Sequence, residues 1–376
     1  MSPGMALRVL IVPDKFKGTL TAQSAAKAIA RGWRRARRDD RLELLPMSDG
    51  GDGFGEVLAD LLGARKQTVR TVDAAHRPLT APWWWEASSK TAIIESAKIV
   101  GLALLPRGQF HPFALDTSGL GVALEAAAAK GARRCLVGIG GSATNDAGFG
   151  VARAMGWTFL DRDGVELDSW TQLHRLASVR APGRRLFREL LVAVDVQNPL
   201  LGSRGCSRIY GPQKGLREHE FVPAEKNLRR LADVLAENSG RDHRREPGAG
   251  AAGGLGFGLR SFFGAGLASG FDLFAKHAAL DRKLRAGDLA ITGEGALDRS
   301  TLMGKGVGEV ARRARRLGLP CIGLGGAVND RAALRKLFSQ THALAPDLTT
   351  SENATARPAK WLELLSGRVA RSLAAL

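Results

Sequence analysis

Four short segments of the chain combine glycines with side chains that can hold a phosphate or a metal ion. They read VPDKFKGT at 12–19, PMSDGGDG at 46–53, GIGGSATNDAG at 138–148 and TGEGALD at 292–298. Each follows a short apolar run and precedes a helical pattern, and backbone N–H groups at such turns bind phosphates in α/β proteins. Because Mg²⁺ takes oxygen ligands, the carboxylates among these glycines predict a metal–nucleotide site.

Each segment taken alone has a purely structural explanation. Asp-Gly pairs are common in tight turns, and Ser48 or Asp49 could cap the helix that follows. Lys15 or Lys17 alone would be an ordinary solvated charge. Turns do not explain all four segments together, since ligands of open α/β sheets bind at the carboxyl ends of strands.

Asp195 is a further candidate outside the four segments. It follows the apolar run at 191–194. A carboxylate at the end of a buried strand is costly unless it is paired or coordinates a ligand. A helix N-cap is the structural alternative, and a functional role is the favoured interpretation.

Common nucleotide and hydrolase motifs do not fit the chain. Gly304-Lys305 ends like a phosphate-binding loop, but Arg299 stands where its first glycine belongs. The GAGAAG segment at 248–253 has dinucleotide spacing but follows a charged segment instead of a strand. The segment at 140–144 lacks the final glycine of a hydrolase nucleophile elbow.

Length and composition predict a two-domain chain without a membrane segment. With 376 residues, 44% of them hydrophobic, the chain can fill more than one core. No apolar stretch approaches the roughly 20 residues that span a bilayer, and no signal-peptide pattern opens the sequence. Three widely spaced cysteines indicate neither disulfides nor a metal site, which fits a reducing compartment. These features predict a cytoplasmic protein.

A formal charge of +18 raises nucleic-acid binding as a remote alternative function. The arginines are spread over predicted helix faces, however, as with Arg31, Arg34 and Arg38. Aromatic side chains that could stack on bases do not interleave with them, and Tyr210 is the only tyrosine. Solvated helix faces explain the charge better, so neither a specific nucleic acid nor a membrane is expected as a partner.

The order of elements predicts an α/β fold. Strands and helices alternate through residues 8–62, which is typical of a parallel sheet. Antiparallel strands are indicated between 68 and 95, a long loop at 239–254, and regular alternation resumes at 288.

The two ends of the chain share this alternating pattern, and the middle lacks it. We therefore predict a discontinuous Rossmann-like domain with a parallel sheet from residues 1–74 and 286–376. An inserted α/β domain with a mixed sheet would comprise residues 75–285. The active site would lie in the cleft between the two domains.

Taken in order, these motifs resemble the glycerate kinase type 1 family, whose members are also called glycerate 2-kinases. The resemblance runs from Val9 to Ala327 and is carried by PDKFKG, SDGGDG, GIGGSATND, DVQNPL and the segment from TGEG to Gly304-Lys305. It implies ATP-dependent phosphorylation of D-glycerate at the 2-hydroxyl, with ATP and Mg²⁺ as cofactors. A kinase of another small hydroxy acid, or one that forms 3-phosphoglycerate, is the alternative. A homodimer is one possible assembly.

The resemblance also implies roles for the polar residues of the motifs. Asp49, Asp195 and Glu294 are the predicted metal ligands, and Asp49 is the first candidate for the general base, with Asp195 second. Lys15 and Lys17 are the predicted catalytic cations. The predicted substrate- and nucleotide-binding residues are Asp14, Ser48, Gly50, Gly51, Gly140, Gly141, Ser142, Thr144, Asn145, Asn198, Gly293, Gly295, Asp298 and Lys305. The family commonly has serine where Lys15 stands and glutamate where Asp52 stands.

Overall fold

The structure, a computed structural model, describes residues 6–16, 18–183, 185–303 and 306–373. Its strands are β1 (Arg8–Pro13), β2 (Arg41–Leu44), β3 (Arg65–Val72), β4 (Pro78–Glu86), β5 (Thr91–Glu95), β6 (Arg134–Gly138), β7 (Thr158–Leu160), β8 (Ser178–Arg180), β9 (Glu189–Val194), β10 (Gly266–Ser269), β11 (Leu289–Leu297), β12 (Cys321–Val328) and β13 (Gln340–Ala345). Its helices are α1 (Ala22–Ala36), α2 (Phe54–Leu62), α3 (Ala97–Val100), α4 (Ser118–Ala129), α5 (Phe149–Ala154), α6 (Cys206–Lys214), α7 (Phe221–Ser239), α8 (Ala251–Phe263), α9 (Gly270–His277), α10 (Leu280–Ala286), α11 (Val307–Arg316), α12 (Arg331–Leu334), α13 (Ser351–Ala356) and α14 (Pro358–Ser372).

The chain divides into two compact units, which we call the split unit and the central unit. The split unit combines residues up to Asp49 with those from Phe271 onward, and the central unit is Gly50–Gly270. The split unit is therefore discontinuous in sequence.

The boundaries of these units differ from the positions 74/75 and 285/286 that the sequence suggested. Residues 50–74 belong to the central unit because α2 and β3 pack there. Strand β3 pairs with β4 along its whole length. A Cβ on Gly55 of α2 would lie 2.0 Å from the Trp84 ring of β4, so the helix sits directly on this strand.

The split unit is built on a parallel sheet in the order β13-β12-β11-β1-β2. Ile11 and Ile291 fill its core together with Trp33 of α1. Helix α1 follows Thr21, whose side chain accepts from Ser24 N–H and caps the first turn. Since all five strands point the same way, their carboxyl ends share one edge.

The central unit is built on a mixed sheet in the order β10-β9-β6-β5-β4-β3. Strands β5, β6, β9 and β10 run parallel, while β3 and β4 extend the sheet antiparallel. The predicted fold class, an α/β protein with one parallel and one mixed sheet, is confirmed. Among the described residues, no helix is both long enough and apolar enough to cross a bilayer.

Two segments differ from the elements that the sequence indicated. The predicted tight loop at 292–298 is largely strand, because β11 continues to Leu297 and pairs with β12 to its end. Glycines allow the two backbones to approach, since a Cβ on Gly293 would lie 2.2 Å from Leu324 O. The predicted loop at 239–254 includes the kinked start of α8, and a Cβ on Gly250 before it would lie 2.2 Å from Pro199 O.

Candidate functional site

Three carboxylates of the split unit lie together at the carboxyl edge of its sheet. Asp14 follows β1, and its N–H donates to Gly293 O at 2.9 Å, which places it beside Glu294 on the neighbouring strand. Asp49, which comes after β2 in the chain, is close enough to repel the charge of both acids. The structure therefore brings together two predicted metal ligands, Asp49 and Glu294, and the predicted binding residue Asp14.

Burial and mutual repulsion raise the pKa of two of these acids. The pKa of Asp14 rises to about 7, first because the side chain is buried and then because Asp49 is negative; Lys15 N–H donates to it at 2.7 Å and opposes the rise. The pKa of Glu294 also rises to about 7 through burial, although Thr301 Oγ1 donates to it at 3.0 Å. A bound cation would relieve this repulsion and favour the ionised forms.

This donor set fits Mg²⁺ that is shared with a phosphate. Mg²⁺ prefers oxygen ligands, and in kinases it uses one or two carboxylates together with substrate phosphates and waters. Across 6–16, 18–183, 185–303 and 306–373, no group of three or more His, Cys, Asp or Glu is arranged to hold a metal ion by itself. The carboxylates therefore suit a metal that arrives with the nucleotide better than a closed protein cage.

Other predicted residues of the split unit stand near this edge. Ser48 is buried and Lys15 is half-buried. Gly293 and Gly295 belong to β11, on either side of Glu294. The predictions for Lys17 and Lys305 fall outside the described residues.

Asp298 closes a turn beyond the end of β11. The hydroxyl and the N–H of Ser300 donate to Asp298 Oδ1 at 2.6 and 2.7 Å, and these hydrogen bonds lower the pKa of Asp298. Helix α11 begins beside the acids, since a Cβ on Gly306 would lie 3.5 Å from Asp14 Oδ2. The start of a helix carries a partial positive charge, which favours anionic groups at this edge.

Two glycine-rich segments of the central unit pack backbone against backbone at the carboxyl end of β6. The N–H of Gly140 donates to Gly50 O at 3.3 Å. A Cβ on Gly140 would lie 2.7 Å from Gly51 Cα, and one on Gly141 would lie 3.0 Å from Asp52 Oδ1. The structure thus brings together the four predicted glycines at 50, 51, 140 and 141, and larger residues would push the segments apart.

The hydroxyls and the amide that follow these glycines are engaged within the protein. Ser142 Oγ and Thr144 Oγ1 lie 2.9 Å apart, and Thr144 N–H donates to Ser142 Oγ at 3.1 Å. Asn145 Nδ2 donates to Ser207 Oγ at 2.9 Å, and all three predicted side chains are buried. In this conformation they fix the shape of the loop, and their role as ligands stays a prediction.

Asp195 lies at the same edge of the central sheet, because it follows β9 and β9 runs parallel beside β6. Its side chain is half-buried, and burial followed by the charge of Asp195 raises the pKa of Tyr210. The Tyr210 hydroxyl donates to Asn198 Oδ1 at 2.6 Å, and Asn198 Nδ2 donates to Arg204 O at 2.8 Å. The predicted binding residue Asn198 therefore holds the loop that carries Asp195.

Comparison with known proteins decides the family. A family model described as "Glycerate kinase family" matches residues 9–374. The chain belongs to the glycerate kinase family. The family predicted from the motifs, whose members are phosphotransferases, is thereby confirmed.

Individual relatives agree with this membership of the glycerate kinase family. The chain is 34% identical over 375 residues to a glycerate kinase of Bacillus subtilis, covering 98% of this chain and 97% of that protein. It is 36% identical over 329 residues to a glycerate 2-kinase of Escherichia coli, covering 86% of each. A solved structure described as that of a glycerate kinase 2 from Salmonella typhimurium is 31% identical, with a TM-score of 0.85 and 98% of both chains covered.

Sequence reasoning assigned no role to two buried acids of this glycerate kinase family member. Asp146 accepts from the N–H and hydroxyl of Thr117 at 3.0 and 2.7 Å and from Gly150 N–H at 2.9 Å, while burial raises its pKa to about 6. Glu95 accepts from two N–H groups at the start of α2 at 3.1 and 3.0 Å. Both acids hold backbone near the glycine segments. The sequence signal for Glu95 was a carboxylate at the end of a buried strand.

We predict that Asp14→Asn stabilises the metal-free protein more at pH 8 than at pH 5. A folded-state pKa raised from 3.8 to about 7 means that the acid contributes stability at low pH that is lost as the pH rises through about 7. Asparagine never ionises, so the variant avoids this loss, which amounts to ~4 kcal/mol at most. Unfolding of both proteins in EDTA at the two pH values measures the effect. Equal stability of the two proteins at pH 8 would contradict the burial of an ionising acid.

Proposed function

We propose that this protein transfers the terminal phosphoryl group of ATP to the 2-hydroxyl of D-glycerate, giving 2-phosphoglycerate and ADP. The observation that carries the proposal is the cluster of Asp14, Asp49 and Glu294 at the carboxyl edge of a parallel sheet, in a chain of this family. The Escherichia coli relative is named a glycerate 2-kinase, which favours the 2-hydroxyl over the 3-hydroxyl.

Phosphoryl transfer requires neutralised phosphates, an in-line hydroxyl and an acceptor for the hydroxyl proton. Asp49 and Glu294 would hold Mg²⁺ together with oxygens of the phosphates and waters, and Asp14 beside them would contact the bound substrate or nucleotide. When bound, the metal ion would supply positive charge to the phosphates. Asp49 is also our first choice for the group that accepts the hydroxyl proton.

The remaining roles concern charge and position. Lys15 would supply positive charge to the phosphates or to the glycerate carboxylate. The glycines at 50, 51, 140 and 141 let two backbone segments meet, and their loops would hold an anionic group of substrate or nucleotide. Asp195 is the third proposed metal ligand and the second choice for the general base. The roles of Lys17 and Lys305 stay predictions.

An assay of ADP release over a panel of hydroxy acids tests the proposal. We expect turnover with D-glycerate that EDTA abolishes and Mg²⁺ restores. Proton-coupled ³¹P spectra of the product separate the isomers, because a phosphate on the CH carbon gives a doublet and one on the CH₂ carbon gives a triplet.

The other outcomes identify the alternative functions. A triplet would indicate 3-phosphoglycerate, and faster turnover of glycolate, lactate or tartronate would indicate another hydroxy-acid kinase. No ADP release with any acid, together with salt-sensitive retention on DNA or RNA, would favour the nucleic-acid alternative.

A further inference from the structure

Lys214 is a buried lysine of the central unit whose ammonium reaches the glycine-rich loop after β6. It is the last residue of α6, is 6% exposed, and donates from Nζ to Thr144 O at 2.6 Å. Thr144 belongs to the segment at 138–148 that the sequence marked as an anion site. The lysine therefore connects α6 to the backbone of that loop from the interior of the protein.

Burial of an ammonium group is expensive, and its presence here needs a reason. Removing such an ion from water costs several kcal/mol even after relaxation, whereas an apolar side chain of similar length would fill the space without this cost. Burial lowers the pKa of Lys214 to about 8, although Cys206 and Asp146 oppose the change. Groups perturbed by burial and by specific charges are candidates for a functional role.

The loop is held at several consecutive residues around this contact. Asn145 donates to Ser207 Oγ of α6 at 2.9 Å, and Asp146 accepts hydrogen bonds from four donors. A Cβ on Gly253 would lie 1.9 Å from the same Thr144 carbonyl oxygen. The Thr144 carbonyl is thus fixed between the lysine and a glycine backbone.

We propose that Lys214 is a positioning residue, which fixes the Thr144 carbonyl and so holds the loop at 140–145 in the shape that receives an anionic group. Its positive charge also adds to the local field that favours an anion at the loop. The inference rests on the proposed function, since the anion would be a carboxylate or phosphate of the kinase reaction. Lys214 acts through Thr144 in this account.

The charged groups that face Lys214 allow a pH test. Cys206 of the same helix is a thiol whose pKa burial raises to about 11, so it is neutral at pH 8. Asp146 of the loop has a pKa of about 6 and is ionised at pH 8. On the helices packed against α6, Glu225 of α7 is paired with Arg208 at 3.1 Å, and Arg260 of α8 is paired with Glu246 at 3.0 Å. Loss of the Lys214 proton is therefore the ionisation that would weaken the site above pH 8.

The experiment compares Lys214→Met, Lys214→Arg and the control Lys130→Met in the ADP-release assay. Lys130 is an exposed lysine of the same unit, with Nζ 3.1 Å from Gln67 Oε1. We expect Lys214→Met to raise KM for either glycerate or ATP about 10-fold or more, the order of one lost charge-assisted contact. The KM of the other substrate should change little, and Lys130→Met should behave like the wild type.

The arginine variant distinguishes a positioning role of Lys214 from a role in folding alone. Arginine keeps a positive charge at every pH used, so the rise in KM that we expect for the wild type above pH 8 should be absent in Lys214→Arg. This comparison still decides the question if Lys214→Met does not fold. Unchanged KM and kcat in a folded Lys214→Met, or the same alkaline rise in Lys214→Arg, would overturn the proposal.

Failure of the proposed function gives a different result. If the wild type turns over no hydroxy acid, the kinase assignment is wrong, and calorimetric binding of ATP–Mg²⁺ and of D-glycerate to the same variants then tests Lys214. Weaker binding of one of these anions by Lys214→Met than by Lys130→Met would support the positioning role. Equal binding by both would contradict it.

Discussion

Replacement of Asp49 by asparagine is expected to lower kcat by about 10³-fold without unfolding the protein. Asp49 lies close enough to Asp14 and Glu294 to raise the pKa of both, so its charge reaches the same cluster. Asparagine keeps the shape of the side chain but can neither accept the hydroxyl proton nor neutralise Mg²⁺. Turnover with D-glycerate at saturating ATP and Mg²⁺ measures the effect.

A second measurement ties this loss of turnover to the acidic cluster. Removal of the Asp49 charge should lower the pKa of Asp14 and of Glu294, because it removes one repulsive neighbour from each. Carboxyl ¹³C shifts followed against pH in EDTA report both values. Asp39→Asn is the matched control, since Asp39 is an exposed acid of the same unit.

Asp195→Asn belongs in the same experiment. We expect a comparable loss of kcat, because Asp195 is the other proposed metal ligand and base. Near-normal turnover of folded Asp49→Asn and folded Asp195→Asn together would show that neither carboxylate takes part in the chemistry. Loss in one variant alone would show which of the two carboxylates takes part in the chemistry.

The acidic edge of the split unit was predictable because parallel strands end at a common edge. Asp14 and Asp49 come after strands that alternate with helices, and that pattern alone placed them at one side of a sheet. Glu294 comes from the far end of the chain, but its strand β11 also begins with a buried apolar run, as β1 does before Asp14. The motifs that identified the family are these same strand ends, so fold and family were both accessible from the sequence.

The limits of the split unit and the length of β11 were not predictable in the same way. They depend on contacts between distant segments, such as α2 resting on the Trp84 ring. Glycine is normally unfavourable in strands, so TGEG was interpreted as a tight loop. In the structure its glycines admit a neighbouring backbone, which only the pairing of β11 with β12 reveals.

Lys214 illustrates a different limit. Its neighbours Tyr210, Gly211 and Pro212 resemble a turn-rich helix end, and nothing in the local pattern marks the lysine as buried. Its contact is 70 positions away in the chain, at Thr144. A charged residue that is buried by long-range packing gives no periodic signal, so this element of the site required coordinates.

Gly253→Ala is expected to destabilise the protein strongly, because it places a methyl group of α8 against the Thr144 carbonyl. Gly253 has a φ of +69°, and a Cβ there would lie 1.9 Å from Thr144 O and 2.8 Å from Asn145 Cα. Backbone strain alone costs about 1 kcal/mol, and displacement of a packed backbone adds roughly 1–3 kcal/mol. We therefore expect a marked fall in the melting temperature and, in any folded fraction, a rise in KM like that of Lys214→Met.

Gly240→Ala provides the control that isolates the close contact. Gly240 has the same φ of +69°, but a Cβ there would have nothing within 4 Å. Both variants place an alanine at the same left-handed φ and so carry the same backbone strain. The difference between their melting temperatures therefore measures the steric clash with the Thr144 carbonyl. If the two variants have the same melting temperature, the backbone at 253 can move away from Thr144 with little loss of folding free energy. The loop would then be held by Lys214 from one side alone, and rigid packing from α8 would not be part of how the anion site keeps its shape.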